Sequence, residues 1–145
     1  MATCAPSLFT ALINTEMGAW NAVESALSEA GNALTLGRFL VLRTVRDTPA
    51  CRIQEVAASQ GITLGAASRL VDRLHRDGLV HRTPCEHDRR AIILTVTDQG
   101  LAHLEEACMI VEKEQERLFA PLSTAQREEL TRSLALIAEA SKERA

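Results

Sequence analysis

The sequence predicts a mainly α-helical chain that carries one small β-hairpin. Three observations predict it. Apolar residues recur every three to four positions through most of the 145 residues. A β-type alternation stands out in one place, AIILTV, through Ile92, Leu94 and Val96. Glycine, proline, serine and threonine fall between the periodic stretches, where turns and helix caps need them.

From Pro6 to Ala30 one apolar stripe passes through Leu8, Leu12, Ala19, Val23 and Ala26, and a second through Phe9, Ile13, Trp20 and Leu27. Two stripes on one helix predict burial on two sides. Gly31 and Asn32 end that helix and Thr35 caps the next, LGRFLVLRTVRD, which is apolar nearly all round, hence central, and stops at Pro49. In RIQEVAASQGITLGAASRLVDRLHRDG, Ile53, Val56 and Ala57 form the inner face of a short helix. Gly61 permits a left-handed turn. Thr63 then caps a helix reaching Asp77, with Ala67, Leu70, Val71 and Leu74 inward. Two short helices meeting at a tight glycine turn, with a small alanine four residues earlier, form a helix-turn-helix.

GLVHRTP and AIILTVT read as two strands with residues 85 to 90 as their loop. A hairpin placed directly after such a helix is a wing. Thr97 and Asp98 start a long helix with Leu101, Leu104, Cys108, Val111 and Leu118 along its seam, and Pro121 breaks it. Ser123 and Gln126 make a capping box for a last helix with Leu130, Leu134 and Ile137 on one side. The expected organisation is one domain over residues 1–145. A winged helix-turn-helix spans 35–97, and long helices over 7–32 and 98–145 form a dimerisation region, because two-sided burial of the first helix needs a second surface.

The net charge of -3 hides an asymmetry: residues 1–37 hold three acids and no Lys or Arg, residues 38–90 ten Arg and six acids, and residues 91–145 six basic residues and ten acids. A polyanion responds to the local field of the basic middle block more than to the total. Other classes fit less well. The histidines at 75, 81, 87 and 103 are scattered, and the chain shows no nucleophile motif, phosphate-binding glycine loop or paired carboxylates. It therefore reads as no enzyme, with no catalytic residue and no cofactor. Cysteines 4, 51, 85 and 108 lack CxxC spacing and read as reduced thiols; Cys85 with His81 and His87 is too sparse a set for a metal site. Glu16 interrupts the apolar N-terminal run, no basic stretch precedes it, and no run approaches a spanning length, so a cytoplasmic location with no membrane partner is expected.

The helix from Thr63 to Asp77 carries Gly65, Arg69, Asp72 and Arg76 opposite its apolar face, with Ser68 and Arg73 at the edges. In a major groove, residues near the helix start approach base edges and later arginines meet phosphates. Arg69 is the leading base-reading candidate, while Asp72 and Arg76, four apart, are spaced to pair with each other. Leu64, Ala66 and Ala67 offer no hydrogen bonds, so apolar contact with thymine methyls and shape carry the readout there. At the wing, Arg90 is the candidate minor-groove finger, Arg89 a phosphate contact or second finger, and Asp88 the carboxylate that orients an arginine.

GITLGAASRLVDRLHRDGLVHR followed by DRRAIILTVTDQG resembles the MarR family of winged helix-turn-helix bacterial repressors, and the likeness covers the whole chain. The resemblance implies a homodimer that binds a pseudo-palindromic double-stranded DNA operator and regulates transcription. It implies wing roles for Asp88 and Arg90 and places Ser68, Arg69 and Arg73 on the DNA-facing helix. Two departures stand out: Gly65 sits where relatives often carry a polar residue or proline, and Arg52 occupies the N-cap of the first short helix. Many such proteins release DNA on binding small aromatic or phenolic ligands, or on cysteine oxidation. For an aromatic carboxylate, Trp20 and Phe39 are candidate walls and Arg38 or Arg43 the counter-ion. For oxidation, Cys85 on the wing is the candidate. A winged helix that binds only protein is the remaining alternative, and it would not need Arg89 and Arg90 at the tip.

Overall fold

The computed structural model of the chain describes residues 7–142. Cys4 lies outside them. The elements run α1 (Leu8–Glu29), α2 (Leu36–Asp47), α3 (Ile53–Gln60), α4 (Leu64–Arg76), β1 (Val80–Cys85), β2 (Asp88–Val96), α5 (Asp98–Phe119) and α6 (Thr124–Lys142). This is the expected order.

The starts of these helices are fixed by short polar side chains that satisfy otherwise unpaired backbone N–H groups. Ser7, Thr35, Thr63 and Thr97 accept from the amides of Thr10, Arg38, Ala66 and Gly100. At α6, Ser123 and Gln126 bond each other's amides reciprocally at 3.2 and 2.9 Å. Arg52, the weak N-cap of α3, has its own amide held by the Glu55 carboxylate at 2.8 Å. The turn between α3 and α4 rests on Gly61, whose φ of 61° lies in the left-handed region that a side chain disfavours. Ile62 closes it by donating its amide to the Ala57 carbonyl at 3.1 Å.

One core joins α2, α3, α4, the base of the hairpin and the first half of α5. Leu42, Val45, Val56, Ala67, Val71, Leu74, Leu79, Leu94, Leu104 and Ala107 are all buried in it. Val23 and Leu27 bring in the C-terminal half of α1, and Glu24 ties α1 to α2 by accepting the Leu36 amide at 2.7 Å. At the start of α5 a Cβ on Gly100 would collide with the Leu79 carbonyl oxygen, so glycine lets that helix press on the hairpin base.

The two strands pair antiparallel from Val80↔Val96 to Pro84↔Ile92, then shift register so that Cys85 faces Asp88. The connecting turn is therefore Glu86 and His87 alone, shorter than the loop of residues 85–90 that the sequence predicts. Residues 89–91 bulge within β2, keeping Arg89 and Arg90 exposed and sinking Ala91.

Within a single chain the long outer helices leave apolar residues uncovered. Leu8 and Phe9, one from each stripe of α1, are 81% and 72% exposed, and α6 has no buried residue. No helix among the described residues is long and apolar enough to cross a membrane.

Candidate nucleic-acid interface

Helix α4 is held from behind by Ala67, Val71 and Leu74, all buried, so its opposite side must face outward. That side presents Gly65, Arg69, Arg73 and Arg76, all exposed, with Ser68 and Asp72 half-buried. A Cβ on Gly65 would meet no atom within 4 Å, so nothing in the fold crowds the first turn. The Thr63 hydroxyl is spent on the helix cap. Arg69 folds back so that its Nε donates to the Gly65 carbonyl at 3.3 Å, which keeps the guanidinium over the start of the helix. Leu64 is 57% exposed and Ala66 half-buried, but Ala67 is fully buried and is removed from the apolar readout set.

The wing is anchored at its base. Leu94 donates its amide to the Cys51 carbonyl at 2.8 Å, and Thr97 donates its amide to Leu79 and its hydroxyl to Gly78 at 3.0 and 2.7 Å. Toward the tip, Asp88 accepts the backbone amide of Arg90 at 3.0 Å. Asp88 thus holds the backbone that carries Arg90, and among the described residues no arginine side chain is hydrogen-bonded to it. Asp72 is likewise paired differently from its sequence reading, bonding Arg82 of β1 at 2.5 Å instead of Arg76. This bond shows that the arginine row of α4 runs alongside the wing. Arg52 and Gln54 share an open cleft with Asp88, Arg90 and Ile92. Sequence reasoning missed them, because an arginine at a poor N-cap position carries no pattern that points to partners nearly forty residues further on, at the wing.

A second concavity lies between α1, α2 and α5. Trp20, Val23, Leu36, Phe39, Leu40 and Val111 enclose a cleft of about 280 Å³. Its polar lining is Glu16, Arg43 and Gln115, and the Arg43 guanidinium sits 5.4 Å from the centre of the Phe39 ring. Arg38, the alternative counter-ion, is not among the lining residues. It forms an ion pair with Asp77 at the C-terminal end of α4.

Among the described thiols, Cys51 is buried, and loss of solvation, helped by the charge of Glu55, pushes it up to about 11. Cys85 is half-buried at the end of β1. Cys108, read from sequence only as a seam residue, has the Arg46 guanidinium 4.0 Å from its sulfur. No group of three His, Cys, Asp or Glu that could hold a metal occurs among the described residues.

This geometry has counterparts. The MarR family model matches residues 34–92, which cover α2 to the start of β2's inner half. The transcriptional regulator BilQ of Clostridium symbiosum is 30% identical over 107 residues, spanning 74% of this chain and 73% of BilQ. The repressor Rv2887 of Mycobacterium tuberculosis is 30% identical over 112 residues, 77% of this chain and 79% of its own. Its complex with p-aminosalicylic acid superposes with a TM-score of 0.70 at 28% identity, covering 92% of this chain and 99% of that one. The transcriptional repressor CouR bound to a 23-mer DNA duplex superposes with a TM-score of 0.82 at 31% identity, covering 90% of this chain and 92% of CouR.

Proposed function

This chain belongs to the MarR family, and from that premise we propose that it is a transcriptional repressor that binds a pseudo-palindromic DNA operator as a homodimer and is released by a small aromatic carboxylate. The observation that carries the reading is the exposed row Arg69, Arg73 and Arg76 on a helix whose Asp72 is bonded to the wing, so that one basic surface continues from helix to hairpin.

In this reading α4 enters the major groove. Arg69, with Ser68 and Gly65 beside it, reads base edges near the helix start, and Arg73 and Arg76 meet phosphates. Thr63 fixes the helix start. The Asp88-shaped turn sends Arg90 toward the neighbouring minor groove, with Arg89, Arg52 and Gln54 along the backbone. The second copy covers the exposed apolar faces of α1 and α6, which hold Leu8, Phe9, Ile13, Leu130, Leu134 and Ile137. Two-fold symmetry then sets the two reading helices about one DNA turn, roughly 34 Å, apart.

The cleft between α1, α2 and α5 is the effector site. Trp20 and Phe39 supply flat apolar walls and Arg43 a cation for a carboxylate. The complex of Rv2887 with p-aminosalicylic acid supports that ligand class.

The test is a mobility-shift titration on the chain's own upstream region at two salt concentrations, repeated with Arg73→Ala and with added salicylate. Binding should weaken steeply with salt, Arg73→Ala should weaken all duplexes alike and reduce the salt slope by about one, and salicylate should release the duplex. Salt-independent binding, or no binding to any duplex, sinks the DNA reading. Retention of DNA at saturating salicylate sinks the effector reading alone.

A further inference from the structure

We propose that Asp72 and Arg82 are a positioning pair that fixes the angle between helix α4 and the wing, and so set sequence-specific affinity rather than affinity for DNA as such. The inference rests on the reading that both elements meet DNA. Asp72 lies in the row Gly65, Arg69, Asp72, Arg76, where a carboxylate opposes a polyanion by simple repulsion. A residue that weakens binding through its charge needs another reason to be there.

The structure supplies one. Oδ1 of Asp72 takes the Nη2 donor of Arg82 at 2.5 Å, across ten residues of sequence and between two different elements. The Arg82 side chain is 29% exposed and Asp72 45%. Nε of Arg82 is buried with no hydrogen-bond partner, so the carboxylate is what orients the guanidinium. The bond also neutralises the carboxylate toward phosphates.

Its place along the hairpin matters as much. Arg82 faces Leu94, the buried residue whose amide is bonded to Cys51, so below this level the wing is fastened to the core. Above it the register shifts between Pro84 and Cys85. Among the described residues, the side-chain bonds between α4 and the wing are His75 to the Val80 carbonyl and Asp72 to Arg82. Arg82 is the one nearer the tip. The tip stands three residues further on, roughly 10 Å of strand, so a tilt of about 10° at Arg82 displaces Arg90 by about 2 Å.

Two reading elements on one scaffold act as linked modules. The second contact gains from the first only if the spacing between them lets both engage at once. Loosening the joint should therefore cost the two-groove operator complex and spare loose, phosphate-driven association. Removing the carboxylate should even strengthen the latter, since each subunit becomes more positive. A pair with only a structural role would not move the two affinities in opposite directions. The pair is half open to solvent, where an ion pair contributes about 1 kcal/mol or less, so the variants should stay folded.

The experiment uses the full chain and two duplexes of equal length: one recovered from a random pool by selection on the wild-type protein, the other a scramble of it. The readout is the ratio of the two affinities at fixed salt. Asp72→Asn should lower that ratio about tenfold, with scramble affinity unchanged or higher. Asp72→Glu holds the charge constant and lengthens the arm, and should lower the ratio about threefold. The exchanged pair Asp72→Arg with Arg82→Asp should recover most of what Arg82→Asp alone loses. A ratio that stays constant in both Asp72 variants, or an exchanged pair no better than the single variant, overturns the proposal while leaving operator binding itself intact. Failure of the wild type to select any duplex would remove the DNA reading and this inference with it.

Discussion

Between α2 and β2 the apolar residues of each element meet one another inside a single chain, and the large hydrophobics left exposed there are Leu64 and Ile92. The outer helices behave otherwise: α6 buries nothing, Leu136 is 74% exposed, and the first half of α1 turns Leu8, Phe9, Ile13 and Met17 to solvent. Both regions have regular periodicity, and side-chain caps open α1 and α6 as they open α2, α4 and α5. The difference is therefore one of partner, not of helix quality. The core of the winged helix closes within one chain, with Val23 and Leu27 of α1 and Leu104 and Ala107 of α5 packed into it, whereas α6 and the first half of α1 present apolar surface that water penalises while it stays uncovered.

The largest effect expected from this contrast comes from charging the uncovered face. Leu134→Asp should leave the winged helix folded, yet convert the protein to a monomer in sedimentation at micromolar concentration and lower operator affinity by at least a hundredfold, because two half-sites are then bound separately. A monomeric wild type would instead break the comparison at its root. Next is a matched pair inside and outside the core. Leu74→Ala removes a fully buried side chain and should destabilise by about 2–5 kcal/mol in denaturant unfolding, whereas Leu136→Ala should change the stability of the folded monomer by no more than about 0.5 kcal/mol. Equal losses would mean that α6 is packed within its own chain.

Within the winged helix, Arg90→Ala should cost about 1–3 kcal/mol on operators with A·T-rich flanks and less on G·C-rich flanks, measured by competition. The smallest effect concerns the thiols. Burial, helped by the charge of Glu55, pushes the Cys51 thiol up to about 11 in the folded chain, against 9.0 for a freely solvated thiol. Its contribution is present below pH 9 and is lost as pH rises through 11, because unfolding lets the thiol ionise earlier. A neutral thiol reagent at pH 8 should accordingly modify Cys108 and Cys85 while leaving Cys51 untouched until denaturant is added. If peroxide weakens operator binding and Cys108→Ser abolishes that response, the oxidation reading replaces the aromatic one, with Cys108 and not Cys85 as its centre.

What sequence conveyed follows from range. Caps act over three residues, so Thr35, Thr63, Thr97 and Ser123 could each be read where they stand. The outward row of α4 was legible for the same reason, since its 3.6-residue period fixes which residues oppose Val71 and Leu74. Pairings across elements were not legible. Asp72 has a suitably spaced arginine at position 76 and bonds Arg82 instead. Arg38, one of two candidate ligand counter-ions, is taken by Asp77. In both cases the winner is set by how α2, α4 and β1 stack, which no local pattern encodes. The wing loop is shorter than expected for a related reason: the bulge at residues 89–91 adds Asp88 to a strand that alternation alone would start later.

The central claim, that two copies place α4 in successive major grooves with Arg90 in the flanking minor groove, is tested most directly by hydroxyl-radical footprinting of the full chain on its selected operator. Two protected patches are expected on one face of the duplex, centred about 10 base pairs apart, each with an outer protected edge that disappears in Arg90→Ala. A single continuous patch, or outer edges that persist without Arg90, would contradict it.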